Sequence, residues 1–110
     1  MTTRILNWFF SGNPDMPAFY VSKDSNPEGL RVYAPNAPGA AECQIDIRAD
    51  GVSILSHYAK LGGQQHLEEM AGTFATKSIA EGAVVTCHVI DTGGANNISV
   101  QLELESLSED

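Results

Sequence analysis

The stretch from Glu42 to Ser53 reads ECQIDIRADGVS, and it decides the fold class. Apolar and polar residues alternate over Glu42–Ala49 with the period of two that a half-buried strand requires. The residues on its apolar face are Cys43, Ile45 and Ile47. Asp50-Gly51 follows at once, and this dipeptide favours a two-residue hairpin turn because both positions tolerate positive φ. The sequence therefore predicts a β-hairpin whose returning strand covers Val52–Tyr58.

The same alternation recurs along the rest of the chain. In the C-terminal half it predicts strands over Gly82–Asp91 and Ile98–Glu105, joined by a turn at Thr92–Asn97. The core-facing residues of these two strands are Val85, Cys87, Val89, Ile98, Val100, Leu102 and Leu104. Earlier extended segments are expected at Arg4–Phe10, Ala18–Val21 and Leu30–Ala34, the last closed by a turn over Pro35–Gly39.

Short strands with tight turns between them predict an all-β fold, an antiparallel β-sandwich or jelly roll of seven to eight strands. At most one short helix is expected, over Gln64–Ala71, which at eight residues is marginal and reads equally well as a loop. The chain has 110 residues, the size of one domain. We expect an extended N-terminal segment over 1–21, the sandwich over 22–105 and an acidic tail over 106–110.

The charge of the chain excludes some classes of partner. Six Lys and Arg residues against 14 Asp and Glu residues give a formal charge of −8. Phosphate backbones attract the opposite sign, so neither nucleic acid nor an anionic membrane is an expected partner. The longest apolar run near the start is Trp8-Phe9-Phe10, far short of the roughly 20 residues that span a bilayer.

The cysteines are expected to be buried thiols. Cys43 and Cys87 share the strand phase of their apolar neighbours, where a thiol behaves as a small core residue and is not ionised. A single disulfide between them is the alternative interpretation. No catalytic cysteine is expected.

The remaining polar residues show no motif for catalysis or metal binding. The three histidines, His57, His66 and His88, have neither HxH nor HxxxH spacing. The alternative is a metal enzyme of cupin-like shape that assembles the three from distant strands, but no local motif supports it, so zinc, calcium and other cofactors are not expected. The carboxylates, among them Asp46, are interpreted as parts of solvated strand faces, and the chain is expected not to be an enzyme.

The segment Ile5-Leu6-Asn7-Trp8-Phe9-Phe10 contains the only Trp and two of the four Phe residues of the chain. As a strand it would place Trp8 and Phe10 on one face and Phe9 on the other. It is either an ordinary core strand or an oligomer or docking contact, since aromatic residues are enriched at interface centres. The candidate interface residues are Ile5, Leu6, Trp8, Phe9 and Phe10. On the second interpretation Trp8→Ala would weaken assembly more than it changes the fold of the isolated domain.

Several short motifs between Val21 and Leu104, a run that covers about three quarters of the chain, resemble a known family. They are Ala37-Pro38-Gly39-Ala40, Ile45-Asp46-Ile47, Asp50-Gly51-Val52-Ser53-Ile54, Ile79-Ala80-Glu81-Gly82, Val84-Val85-Thr86, Asp91-Thr92-Gly93 and Val100-Gln101-Leu102-Glu103-Leu104. In this order they are similar to small β-sandwich domains of structural proteins of tailed bacteriophages, in virion decoration and tail-fibre-like contexts.

The resemblance implies a non-enzymatic virion protein, made in the host cytoplasm, that decorates or stabilises the capsid. It would act by self-association and by docking on the major capsid protein or another virion protein. The implied assembly is a homo-oligomer, with a trimer favoured on quasi-threefold lattice positions. The alternative is a tail-fibre module that binds a receptor or carbohydrate through loops at Gly62–Gly72 and Thr92–Asn97. Neither loop contains Trp, Tyr or Phe.

Overall fold

A computed structural model describes residues 3–12, 16–35, 39, 42–62, 67–70, 74–75 and 78–106. These residues form strands but no helix, and hence no helix that could cross a membrane. The strands are β1 (Thr3–Phe10), β2 (Phe19–Tyr20), β3 (Ser25–Tyr33), β4 (Cys43–Ala49), β5 (Val52–Ser53), β6 (Ala59–Leu61), β7 (Leu67–Met70), β8 (Val84–Asp91) and β9 (Ile98–Ser106). The predicted all-β class is confirmed.

The strands form two antiparallel sheets, as expected for a β-sandwich. Sheet A has the order β1-β9-β3-β7, so β1 and β7 are its edges. Sheet B has the order β2-β8-β4-β5, and β6 also pairs with β4, beyond the end of β5. The C-terminal strand β9 thus lies in the middle of sheet A, where it joins the N-terminal strand to β3.

One hydrophobic core lies between the sheets. It includes the predicted core-facing residues of both hairpins, all of them buried except Val89, which is partly buried and packs against the core. The largest fully buried side chains are Leu6, Ile45, Ile47, Ile54, Leu61, Ile79, Ile98, Leu102, Leu104, Val21, Val32 and Val85. Burying each such side chain stabilises the fold by about 1.5–3 kcal/mol before the cost of chain entropy.

The predicted hairpin at Asp50-Gly51 is confirmed, but its returning strand is shorter than expected. Both turn residues have positive φ, 50° and 84°, as a type I′ turn requires. The prediction of a strand over Val52–Tyr58 is wrong, because β5 ends at Ser53. Ile54 and Leu55 are consecutive and both buried, which a strand with one solvated face cannot achieve. Strand pairing with β4 resumes at β6.

The segment considered as a helix contains a strand instead. Leu67–Met70 pairs with Leu30–Tyr33 of β3, so the backbone groups of both segments are satisfied by a sheet ladder. A helix of eight residues would have lacked such tertiary support. The rest of the candidate, at 64–66 and 71, lies outside the described residues, as do 36–38 of the predicted turn after β3.

The first 21 residues are part of the sandwich and do not form a separate extension. β1 pairs with β9 over eight consecutive residues, and β2 pairs with β8. Leu6 and Trp8 enter the core from β1, so a boundary at residue 21 would cut through both sheets. Of the predicted tail, Ser106 ends β9 and residues 107–110 lie outside the described part.

Candidate functional site

The histidines do not form a cluster within the described part of the chain. The exposed His57 places its ring Nδ1 3.0 Å from the backbone oxygen of Tyr58. His88 is half-buried on the outer face of sheet B, with Nε2 2.8 Å from the Thr86 hydroxyl. His66 lies outside the described residues. Among those that are described, no group of three or more His, Cys, Asp and Glu side chains could hold a metal ion.

The two cysteines are buried free thiols, as the sequence predicts. Burial raises the pKa of Cys43 to about 11, and the nearby charge of Asp91 adds to the shift. Burial likewise raises the pKa of Cys87 to about 12, with further contributions from Asp46 and Cys43. Because the thiolate is the reactive form, neither side chain can act as a nucleophile at neutral pH.

The thiols should therefore be protected in the folded protein and reactive only after unfolding. We expect two reactive thiols per chain with Ellman's reagent in denaturant at pH 7, and slow labelling without it. The raised pKa values also mean that the folded state holds these protons more tightly than the unfolded state. This contribution to stability is fully present below the ordinary pKa of 9.0 and is lost as the pH rises from there to about 12. Rapid labelling of folded protein at neutral pH would contradict the buried arrangement.

Asp46 corrects the expectation of a solvated carboxylate. Its strand phase places it on the outer face of sheet B, yet it is only 2% exposed. Oδ1 accepts a hydrogen bond from the Ser53 hydroxyl at 2.5 Å, and Oδ2 accepts one from Arg48 Nε at 2.9 Å. Ser53 Oγ also accepts from the Leu55 backbone amide, at 3.3 Å. Ser53 of β5 and Arg48 thus contact the carboxylate, which a strand pattern alone does not reveal.

This polar cluster stabilises the hairpin and does not set up a nucleophile. An activated serine needs its hydroxyl within hydrogen-bond reach of a base such as an imidazole. Here the Ser53 hydroxyl bonds Asp46, while the ring of the neighbouring His88 bonds Thr86. The carboxylate therefore fastens β5 and Arg48 to β4.

The N-terminal aromatic segment divides between the core and the surface. Leu6 and Trp8 are buried, and Phe10 is partly buried against the core. Their placement corrects the expectation that Leu6 and Trp8 contact a partner, because a buried side chain is not available to one. Ile5 is 51% exposed and Phe9 is 56% exposed, on the opposite face of the same strand. These two remain candidates for an interface.

The exposed residues of this segment lie in the same rows as residues of β9 and β3 on the outer face of sheet A. Phe9 lies opposite Ser99 of β9, and Ser99 lies opposite Tyr33 of β3. Tyr33 is 45% exposed. Two strand spacings separate the Cα atoms of Phe9 and Tyr33 by about 10 Å, with only a small serine between them. We call the outer surface around Ile5, Phe9 and Tyr33 the aromatic face.

Polar side chains separate the apolar members of the aromatic face. Asn7 lies between Ile5 and Phe9 along β1, and the exposed Gln101 is its partner on β9. Ile5 in turn has the exposed Glu103 as its partner. On β3 the exposed Arg31 is the partner of Gln101. The face therefore combines apolar contact area with hydrogen-bonding groups, a carboxylate and a guanidinium.

Sequence reasoning did not include Tyr33 in the candidate interface. Its exposure could have been found, because Leu30, Val32 and Ala34 define the inner phase of β3 and Tyr33 falls on the other. Its proximity to Phe9 could not, because it depends on both β1 and β3 pairing with β9, and sequence gives no order of strands in a sheet.

The loop at Thr92–Asn97 is held by the chain's own groups. The Gly93 amide donates to Asp91 Oδ1 at 2.9 Å, and the Gly93 carbonyl accepts from the Gly39 amide at 3.0 Å. Ala95 is buried. This loop offers polar backbone but no aromatic ring. The other loop considered for ligand binding, at Gly62–Gly72, is described only at Gly62 and within β7.

A cavity of 170 Å³ lies near the ends of β1, β3 and β9. Its polar lining comprises Arg4, Ser22, Lys23, Ser25 and Ser106. The Arg4 guanidinium already donates to the Tyr20 carbonyl at 3.0 Å, and the Ser25 hydroxyl donates to the Lys23 carbonyl at 2.9 Å. The cavity is also smaller than the roughly 300–1,000 Å³ of typical ligand pockets.

Comparisons with protein-family models, curated proteins and solved structures found no match to this chain.

Proposed function

We propose that this chain is a structural protein of a tailed-bacteriophage particle, a capsid decoration or head-stabilising protein that docks on another virion protein through its aromatic face. The major capsid protein is the first candidate for that partner. The phage context comes from the sequence motifs. The observation that carries the docking role is the exposure of Ile5, Phe9 and Tyr33 together on one face of sheet A.

The two sheets differ in what their outer faces offer a partner. On sheet B the exposed large apolar residues lie at or near strand ends, namely Tyr20 on β2, Val52 on β5, and Val84 and Ile90 on β8. The middle of that face carries polar side chains that bond one another within two groups, Asp46 with Arg48 and Thr86 with His88. On sheet A the large exposed apolar side chains come from β1 and β3, on either side of β9. Aromatic side chains of this kind are enriched at the centres of protein interfaces.

The charge of the chain indicates the chemistry of the partner surface. Glu103 and Arg31 are both exposed on the outer face of sheet A, and the whole chain carries a charge of −8. Because that net charge is negative, a complementary surface would surround an apolar patch with basic groups. A strongly acidic decoration protein would also not compete for packaged DNA.

Co-sedimentation with phage particles that lack the protein tests the docking role. We expect wild-type protein to bind and the double variant Phe9→Ala, Tyr33→Ala to bind at least tenfold more weakly, because truncating interface aromatics removes much of the binding energy. Since both side chains are exposed, the variant should fold normally by circular dichroism. Val52→Ala is the matched control, because Val52 is 68% exposed and belongs to sheet B. Equal binding by wild type and the double variant would contradict docking through this face.

The aromatic face also supports a second candidate, a carbohydrate-recognition module of a tail fibre. Phe9 and Tyr33 provide two rings on which sugars could stack, and Asn7 and Gln101 provide hydrogen-bonding groups beside them. The loops at first considered for this role offer no such rings. A glycan array separates the two candidates: specific glycan binding that Tyr33→Ala removes would favour recognition of sugars, and an array without signal would remove it.

A further inference from the structure

Strand β1 leaves one side of sheet A open. It pairs with β9 along its whole length, and no strand in the described part of the chain pairs with its other side. Proteins commonly protect such edges with lysine, proline, a bulge or a very short strand. β1 has eight residues without Lys or Pro, and its register with β9 is continuous. An open edge of this kind can pair with a strand of another molecule.

The charges of β1 do not oppose a second copy of the chain. Although the chain contains 14 Asp and Glu residues, none lies in Thr3–Phe10. The one charged residue there is Arg4, and its guanidinium is directed to the Tyr20 carbonyl of the same chain. Acidic groups elsewhere repel a second copy over a distance that salt shortens, so higher ionic strength should favour association.

The exposed apolar residues of β1 are placed symmetrically about Asn7. Ile5 and Phe9 each lie two residues from it and on the same outer face. If two β1 strands pair antiparallel with Asn7 opposite Asn7, Ile5 of each copy lies opposite Phe9 of the other. Cross-strand pairs of an aromatic with a β-branched residue stabilise sheets by about 0.2–1 kcal/mol each. Both exposed apolar side chains of each copy would then be partly covered.

Other registers lack this match. A shift of two residues places Asn7 opposite Ile5 or Phe9 and leaves the remaining apolar side chain opposite Thr3 or Ser11. A shift of one residue sets an inner face against an outer one, which a half-buried sheet does not allow.

We propose that two copies of this chain associate through antiparallel pairing of their β1 strands, across a twofold axis at Asn7, so that sheet A continues from one copy into the other. The contact is isologous and forms a closed pair. This differs from the trimer that the phage resemblance implies. The pairing rests on the proposed function in that it supplies its self-association, and it would double the aromatic face by placing Ile5 of one copy beside Phe9 of the next.

Sedimentation of the full chain over a concentration series tests this pairing. We expect a monomer–dimer equilibrium that reaches twice the 11.8 kDa chain mass. Phe9→Lys should weaken dimerisation at least tenfold without loss of fold, since the side chain is exposed. Tyr33→Lys, on the same face but two strands from the edge, should leave dimerisation unchanged, as should Val52→Lys. A chain that is monomeric throughout, a trimer, or a dimer that Tyr33→Lys breaks and Phe9→Lys does not would overturn the proposal.

Cross-linking tests the register itself. With Asn7→Cys the two introduced thiols lie directly opposite each other, at a distance that a disulfide can bridge. With Ile5→Cys the equivalent thiols are four residues apart along the strands, about 14 Å. We expect mild oxidation to give a covalent dimer for Asn7→Cys only, and cross-linking of Ile5→Cys alone would overturn the register. Particle binding by a monomeric chain would refute the pairing but keep the proposed function, and a dimer that binds no particle would do the reverse.

Discussion

Replacing Trp8 by alanine is expected to lower the free energy of unfolding by about 3–5 kcal/mol, the range for truncating a buried large aromatic side chain. Trp8 is 2% exposed and packs edge-to-face on Phe19, with ring centroids 5.3 Å apart. Its indole N–H donates to the Pro17 carbonyl at 2.7 Å. The side chain therefore joins β1 in sheet A to the chain that leads into β2 in sheet B. Chemical denaturation of the purified variant measures the loss.

Two matched variants separate the contributions of Trp8. Phe9→Ala removes the exposed neighbour on the same strand and should change stability by less than about 0.5 kcal/mol, as surface substitutions usually do. Trp8→Phe keeps the ring packing but loses the indole N–H, so the Pro17 carbonyl loses this donor, at a cost of about 1–3 kcal/mol. Similar small effects for Trp8→Ala and Phe9→Ala would contradict the core position of Trp8.

This result would also settle the role that the sequence left open for the aromatic segment. On the docking interpretation, Trp8→Ala weakens assembly and spares the fold. The burial of Trp8 reverses that expectation, so any loss of assembly in Trp8→Ala would follow from the loss of fold. Ile5 and Phe9 are the large apolar residues of β1 whose substitution can affect association without this effect.

The second large effect is expected for Asp46→Ala, which should destabilise the protein by about 2–3 kcal/mol. Hydrogen bonds to a charged group contribute about 1.5–3 kcal/mol, and the buried Asp46 carboxylate accepts two. One comes from Arg48, which is partly exposed, so its share is reduced by solvent screening. Loss of the carboxylate also frees Ser53 and thus weakens the attachment of β5 to β4. Thermal or chemical denaturation measures the difference.

Glu103→Ala provides the matched control for Asp46→Ala. It removes a carboxylate from an exposed position on a central strand of sheet A. We expect a change below about 0.5 kcal/mol. If both variants lost the same small amount of stability, the hydrogen bonds of Asp46 would not stabilise the fold measurably. A solvated carboxylate would then be the better description of Asp46.

The parts of the fold that sequence predicted are those in which local pattern and tertiary structure agree. β9 alternates strictly, β4 and β8 alternate over most of their length, and the apolar phase of each strand faces the core. Asp50-Gly51 specified its own turn, because few other residue pairs adopt two positive φ angles without strain.

The errors arose where tertiary contacts override the local pattern. β3 begins at Ser25, earlier than the predicted start at Leu30, and the added part contains Pro27 and Gly29. They flank a register shift against β9, where an irregular ladder tolerates a residue without an amide hydrogen. The sequence predicts a solvated Asp46 because strand phase shows which face of the sheet a side chain is on. It does not show which other side chains cover it.

The sequence predicts which residues of β1 belong to the candidate site but not their neighbours in the sheet, because those depend on tertiary structure. The residues of β1 were identified by composition, and strand phase separated Phe9 from Trp8. Ile5 and Phe9 are candidate interface residues because β1 is an edge strand and because Tyr33 lies two strands from Phe9 in the same row of the sheet. Both facts depend on strand order.

The proposed function requires that a tailed phage encodes the chain, and a reconstruction of that phage's purified particles tests it most directly. We predict density for the sandwich on the particle, with the aromatic face of sheet A buried against a neighbouring virion protein and Phe9 and Tyr33 inside the contact. Absence of the chain from the particle, or attachment that leaves Phe9 and Tyr33 in solvent, would contradict the proposed function.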